Sequence, residues 1–160
     1  MKGLTVPHRL KALIGVAATA LTLTTALSGT ASAAPSHSSN YPKFTYEGKY
    51  PENTPCSGSY SLIHRTSANV NGRTITLKYF YAGGCGSFAR IENAPQGCYA
   101  WLDRTSYVPS GNPTSWDWVR ESVDSGINYA YTQVGNNLNG RVSRAALVCG
   151  STVHARTAWY

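Results

Sequence analysis

The sequence predicts a small all-β domain, a disulfide-stabilised sandwich or barrel of about seven or eight short antiparallel strands. Short segments in which apolar and polar residues alternate recur along the chain, and Gly, Pro and Asn separate them. All four cysteines lie after residue 33, in the part of the sequence that carries these segments. Helical periodicity is nearly absent, which leaves room for one short helix at most.

The N-terminus reads as a signal peptide covering residues 1–33. A positively charged start is followed by an apolar run over 12–27 and by small residues that end at Ala33. The run is interrupted by threonines and is shorter than the roughly 20 residues that a spanning helix needs. We therefore expect cleavage between Ala33 and Ala34, a secreted product and no transmembrane segment after processing.

The predicted mature chain carries a mild positive charge. Three of the 14 Lys and Arg residues lie in the signal peptide and all seven acidic residues follow it, so the net charge is +4 after cleavage. Such a charge permits weak attraction to polyanions, although solubility alone explains it equally well. There is no lysine-rich run of the kind that indicates nucleic-acid binding.

The mature chain divides into a leader and one domain. Residues 34–43 are rich in Ser, Pro and Asn without periodicity and predict a flexible leader. Residues 44–160 predict a single secreted β domain, which opens with an irregular, turn-rich segment over 44–55. A first strand follows over 59–66.

The next pair of strands is predicted to be a hairpin. Asn71-Gly72 favours a type I′ turn, which would pair Val70 with Arg73 and start a strand at Thr74. In that register Cys85 faces a position two residues from Cys56. A longer turn, or a bulge at Gly83-Gly84, would align the two sulfurs.

The hairpin therefore predicts a Cys56–Cys85 disulfide and, by elimination, a Cys98–Cys149 disulfide. The spacings between the cysteines do not fit the paired pattern of a zinc site, and we predict no metal and no cofactor. The loop sizes correspond to a stabilisation of roughly 3.5–4 kcal/mol for each bridge.

The second half of the chain predicts further strands. One covers 98–104, and another covers 116–121, where a short helix capped by Ser115 is the alternative. A turn at Asn139-Gly140 would pair a strand over 127–134 with a strand over 141–149. This register would place Cys149 opposite Ala130. For residues 141–149, an amphipathic helix is the alternative. Residues 151–160 would close the sheet.

Catalytic signals are weak. His64 has no metal-ligating neighbour, and the serines beside glycines do not form a G-x-S-x-G elbow. A nuclease-like set of His64, Arg90 and Glu92 can be drawn, but nothing in the spacing selects it.

Aromatic residues next to arginines are the better candidates for function. Tyr, Trp and Arg are enriched in recognition surfaces, and exposed rings stack on sugars and bases. The alternative is that these are strand-forming rings with arginine packed over them. The predicted binding residues are Arg90, Trp101, Arg104, Trp116, Trp118 and Arg120.

Part of the chain resembles a known family. Tyr81-Ala82-Gly83-Gly84-Cys85 and Phe88-Ala89-Arg90 are similar to the core L-R-Y-S-x-x-C-x-x-x-W-A-R of small secreted bacterial proteins classed as a domain of unknown function. Here the gap after Cys85 is one residue shorter, and Phe88 replaces tryptophan. The resemblance covers about residues 46–91 and implies export, a disulfide and β structure, but no activity.

Together these observations predict a secreted, monomeric, non-catalytic binding domain. Its ligand would be an envelope polymer, a glycan or a secreted protein. The first alternative is an inhibitor of an extracellular hydrolase, which would present a rigid loop beside a disulfide, such as 83–87 or 109–115. The second is a small hydrolase or nuclease, which would bring Arg90, Glu92 and His64 into one cleft.

Overall fold

The computed structural model describes residues 44–160, so the predicted signal peptide, the Ala33–Ala34 cleavage site and the leader over 34–43 lie outside the described residues. The all-β prediction is confirmed. Two four-stranded antiparallel sheets form a sandwich. The strands are β1 Ser61–Val70, β2 Arg73–Ala82, β3 Gly86–Glu92, β4 Cys98–Arg104, β5 Asp117–Ser122, β6 Tyr129–Tyr131, β7 Ser143–Cys149 and β8 Thr152–Arg156.

Sheet A has the strand order β1-β2-β3-β6, and sheet B has the order β5-β4-β7-β8. Alternate residues of the central strands point inward and form one core, in which Ile75, Leu77 and Ile91 of sheet A meet Leu102 and Leu147 of sheet B. All five are fully buried, and each such side chain contributes about 1.5–3 kcal/mol by leaving water. The residues between them are thereby directed to the outer faces.

The hairpin of β1 and β2 follows the predicted register. Asn71 and Gly72 have φ angles of 52° and 81°, as a type I′ turn requires, and Val70 faces Arg73. The register shifts between Leu62 and His64, so the bulge lies in β1 rather than at the predicted glycines. Its effect is the expected one, because it helps to bring Cys56 beside Cys85.

Both predicted disulfides are present. Cys56 is bonded to Cys85, with Cα atoms 6.2 Å apart, and Cys98 is bonded to Cys149, which faces it directly across β4 and β7. Two disulfides and no free cysteine among the described residues are typical of a protein of an oxidising compartment. Within residues 44–160, no helix is long and apolar enough to cross a membrane.

Two predictions for the second half were ambiguous, and the structure resolves both as strands. Residues 117–122 form β5 instead of a helix capped by Ser115, and 143–149 form β7 instead of an amphipathic helix. The predicted strand over 127–134 is reduced to the three residues of β6.

The pairing predicted for Ala130 and Cys149 is wrong. The turn exists, since Asn139 and Gly140 have φ angles of 57° and 78°. However, β6 pairs with β3 in sheet A, whereas β7 pairs with β4 and β8 in sheet B. A turn sequence fixes local dihedral angles, but it does not fix which strands pair when the chain passes from one sheet to the other.

Candidate functional site

A groove lined by aromatic rings lies on the outer face of sheet A. Its cavity has a volume of about 550 Å³. We call it the sheet A groove; its lining residues are Pro51, Glu52, Ser57, Gly58, Tyr60, Phe80, Phe88, Arg90, Tyr129 and Tyr131.

The floor of the groove is made of two sets of parallel rings. Phe80 of β2 lies opposite Phe88 of β3, and their rings stack with centroids 4.8 Å apart and planes within 7°. Tyr129 and Tyr131 occupy alternate positions of β6, and their rings are also nearly parallel, at 6.4 Å and 11°. The strand pleat therefore places these four rings on one side of the sheet, where Phe88 is buried and Tyr129 is the most exposed.

One wall is formed by the irregular segment before β1, which includes a 3-10 turn at Pro51–Asn53. The ring of Tyr60 meets Phe88 edge-on at 5.0 Å, and its hydroxyl is 3.1 Å from the Thr54 hydroxyl. The Cys56–Cys85 bridge ties this segment to the end of β2. The disulfide thus holds one side of the groove against the other.

Tyrosine hydroxyls and carboxylates form pairs along the groove. Tyr131 donates a 3.0 Å hydrogen bond to Glu52, and Tyr50 donates a 3.1 Å hydrogen bond to Glu121. Burial and the neighbouring Glu121 carboxylate raise the pKa of Tyr50 to about 12. Burial and the hydrogen bond to Glu52 also raise the pKa of Tyr131. Both hydroxyls therefore remain protonated donors at neutral pH.

Arg90 is the cationic group of the groove. Its guanidinium lies 5.3 Å from the centroid of the Tyr129 ring, and its Nε is 3.0 Å from Glu92. Glu92 also pairs with Lys78 at 2.6 Å, and this hydrogen bond lowers the pKa of Glu92. The guanidinium is thus held in place by a ring and a carboxylate.

The groove continues past the β6 tyrosines. An adjoining cavity of about 220 Å³ shares Glu52, Tyr129 and Tyr131 with it and adds Glu121 and Asp124. Two cavities that share a row of side chains form an elongated depression. This shape suits a chain better than a compact small molecule.

The predicted binding residues divide among three locations. Arg90 lines the groove. Trp101, Trp118 and Arg120 lie together on the outer face of sheet B, and Trp116 lies beside them, 40 % exposed. Arg104 does not belong to either surface.

Arg104 is a correction to the predicted surface. It is 2 % exposed and forms an ion pair with Glu47 inside the protein. The reason is the strand period, because residues three apart on a strand point to opposite faces, so proximity of Arg104 to Trp101 in sequence does not place them together. Burial raises the pKa of Glu47 to about 7, although Arg104 beside it lowers the pKa.

The residues of the nuclease-like set do not converge. His64 faces Tyr79 across the hairpin and lies on the inner side of sheet A, 6.0 Å from the Tyr79 ring, whereas Arg90 and Glu92 lie on the outer side. In the part of the chain that the structure describes, no three His, Cys, Asp or Glu side chains group as metal ligands would.

Of the two loops predicted for an inhibitor, only the 83–87 turn lies at a disulfide, the Cys56–Cys85 bridge. In the 83–87 turn, Ala82 already pairs with Gly86, and Gly83 and Gly84 offer no side chain to a partner. The 109–115 loop is exposed, but it contains no cysteine.

Sequence reasoning missed most of the groove. The missed residues are Glu52, Tyr60, Phe80, Phe88, Tyr129 and Tyr131. A usable signal was present, since the alternation that sends Ile75, Leu77 and Tyr79 inward leaves the large ring of Phe80 on the solvent side.

Comparison of the chain with protein-family models, curated proteins and solved structures finds no match. The resemblance of residues 46–91 to the small secreted family therefore stays a prediction.

Proposed function

We propose that the protein is secreted and acts outside the cell as a non-catalytic binding domain, whose ligand is a β-1,4-linked glycan chain held in the sheet A groove. The observation that carries this proposal is the row of parallel rings formed by Phe80 with Phe88 and by Tyr129 with Tyr131. The equatorial linkages of such a glycan leave flat C–H faces along the chain. Tyr129, the most exposed ring of the row at 38 %, can stack on such a face, while Phe88 is buried and supports the floor beneath.

The polar groups beside the rings suit sugar hydroxyls. Glu52 offers acceptor oxygens, and Arg90 offers donors fixed by their contacts with Glu92 and Tyr129. Ligand sites commonly combine an apolar lining with a few such oriented polar groups. The elongated shape of the groove accommodates several sugar units in succession.

Export is supported by the signal-peptide pattern of residues 1–33 and by the two disulfides. A non-catalytic role is supported by the separation of His64 from Arg90 and Glu92, which lie on the opposite side of sheet A. The two carboxyl groups whose pKa is raised, Glu47 and Asp103, do not line the groove.

The test is co-sedimentation of the mature protein with insoluble peptidoglycan, chitin and cellulose. We expect retention on at least one of them, and we expect Tyr129→Ala to weaken it about tenfold, as for a contact worth more than ~1 kcal/mol. Tyr107→Ala is the matched control, because Tyr107 is 37 % exposed and Tyr129 is 38 % exposed, and only Tyr129 lines the groove.

Three results would overturn the proposal. Retention on none of the polysaccharides would remove the glycan ligand. Equal binding by Tyr129→Ala and the wild type would remove the groove as the site. Release of soluble sugar from a retained polysaccharide would show catalysis and contradict a purely binding role.

A further inference from the structure

The outer face of sheet B carries a second cluster of rings and arginines, on the opposite side of the sandwich from the groove. We call it the sheet B face. Its residues are Tyr99, Trp101, Trp116, Trp118, Arg120, Arg144, Arg156 and Trp159, with the buried Asp103 among them.

Arg120 is held by rings instead of by a counter-ion. Its guanidinium carbon lies 5.2 Å from the ring centroids of Tyr99 and Trp118 and 5.9 Å from that of Trp101. Trp101 and Trp118 stack on each other at 4.8 Å. No carboxylate of the described residues lies within salt-bridge distance of Arg120. Its positive charge is therefore available to an external anion.

The other two arginines share one carboxylate. Asp103 is 1 % exposed and accepts a 2.9 Å hydrogen bond from Arg144, with Arg156 farther away at 3.8 Å. Arg144 is enclosed between Trp116 and Trp159, at 4.7 and 4.3 Å from their ring centroids. The side chain of Arg156 is 43 % exposed. Three arginines against one buried carboxylate leave the face positively charged.

The two accessible arginines lie at the ends of one row across the sheet. The strand registers align Arg120, Trp101, Ala146 and Arg156 on β5, β4, β7 and β8. Three inter-strand spacings place the ends of the row about 14 Å apart. Between them lie the partly exposed ring of Trp101 and the small side chain of Ala146, which is buried beneath its neighbours.

We infer that the sheet B face binds an acidic polysaccharide in which a carboxylated sugar alternates with an uncharged one. The chain lies along the row, with carboxylates at Arg120 and Arg156 and an uncharged sugar over Trp101. A guanidinium matches a carboxylate in planar, bidentate geometry. Each strand of a DNA duplex carries a phosphate about every 3.4 Å along the helix axis, which is far denser than these arginines. The wide spacing therefore favours the polysaccharide.

The test is calorimetric titration of the mature protein with a hyaluronan oligosaccharide at low ionic strength. We expect Arg120→Gln and Arg156→Gln each to weaken binding about fivefold, the scale of a solvent-exposed ion pair, and added salt to weaken it further. Arg73→Gln is the matched control, since it removes one exposed charge from the hairpin of sheet A. Tyr129→Ala should bind hyaluronan like the wild type, which separates this face from the groove.

Several results would overturn the inference. The first is that the folded wild type does not bind hyaluronan. The second is that Arg73→Gln weakens hyaluronan binding as much as Arg120→Gln and Arg156→Gln do. The third is that the wild type binds neutral dextran as tightly as hyaluronan. Tighter binding of an oligothymidylate strand than of hyaluronan would assign the face to nucleic acid instead. Because the side chain of Arg156 is 43 % exposed, Arg156→Gln keeps the test valid if Arg120→Gln fails to fold.

Discussion

The hydroxyl of Tyr131 donates a 3.0 Å hydrogen bond to Oε1 of Glu52, 79 residues earlier in the chain. The contact joins the irregular N-terminal segment to β6 across the groove. Together with the Cys56–Cys85 bridge, it fixes the segment at two points. The groove is therefore a property of the tertiary structure, formed where a loop crosses the outer face of a sheet.

Removing the Tyr131 hydroxyl should loosen the groove without removing a ring. We expect Tyr131→Phe to lower the free energy of unfolding by about 0.5–1 kcal/mol, because the hydrogen bond is solvent-accessible, and to weaken glycan binding severalfold. Denaturant unfolding and co-sedimentation measure the two effects. Tyr129→Phe is the control, since the Tyr129 hydroxyl makes no hydrogen bond to the described residues. A larger effect of Tyr129→Phe would contradict the role of the Tyr131–Glu52 contact.

The two disulfides should differ in their effect on binding. Replacing Cys56 and Cys85 with serine should lower the free energy of unfolding by roughly 3.5 kcal/mol and abolish groove binding, because the segment that forms one wall is released. Replacing Cys98 and Cys149 should cost about 4 kcal/mol but leave binding intact in the folded fraction, because this bridge lies within sheet B. An equal loss of binding in both folded variants would contradict the claim that the segment held by Cys56–Cys85 forms one wall of the groove.

A buried hydroxyl cluster connects the two sheets. Tyr79 and Ser87 of sheet A each lie 2.7 Å from the Ser143 hydroxyl of sheet B, and Asn137 also bonds to Tyr79. We expect Tyr79→Phe to destabilise the protein by about 1–3 kcal/mol, since its partners stay buried without it. Ser67→Ala, at an exposed hydroxyl pair, should change stability by less than ~0.5 kcal/mol. A similar loss of stability in both variants would contradict a larger contribution of the buried cluster.

Stability should depend on pH through Glu47. Burial raises its pKa from 4.5 to about 7, so the folded protein holds this proton more tightly than the unfolded chain does. The resulting stability is fully present below pH 4.5 and is lost as the pH rises through 7, by up to about 3 kcal/mol.

Glu47→Gln isolates this contribution because it mimics the protonated form. We expect wild type and Glu47→Gln to be similarly stable near pH 4, and the variant to be more stable at pH 8, by chemical unfolding at each pH. A variant that is less stable than wild type at pH 8 would mean that the ion pair with Arg104 outweighs the cost of burying the charge.

Local features of this fold were predictable from the sequence. The Asn71-Gly72 turn, the strand over 98–104 and the Cys56–Cys85 disulfide follow from turn chemistry, alternation and hairpin register, because their determinants lie close together along the chain or within one hairpin. The same reasoning correctly predicted the Asn139-Gly140 turn. The Cys98–Cys149 disulfide joins two strands that are not consecutive, and it was predictable only by elimination.

Non-local pairing could not be predicted in the same way. The partners of β6 and β7 are decided by which buried faces meet across the sandwich, and a turn sequence carries no information on that point. The groove has the same character, since Glu52 and Tyr131 are brought together only when the N-terminal segment crosses sheet A. Arg104 was misplaced because it was grouped with Trp101 by sequence distance and not by strand period.

The central claim is that the sheet A groove binds a glycan. Amide chemical shifts of the mature protein, titrated with a soluble oligosaccharide of the polysaccharide that retains it, test this most directly. We predict that the shifts cluster in β2, β3 and β6 and in residues 50–60, and that Tyr129→Ala needs about tenfold more oligosaccharide to produce them. Shifts confined to sheet B, or none at saturating oligosaccharide, would contradict the claim.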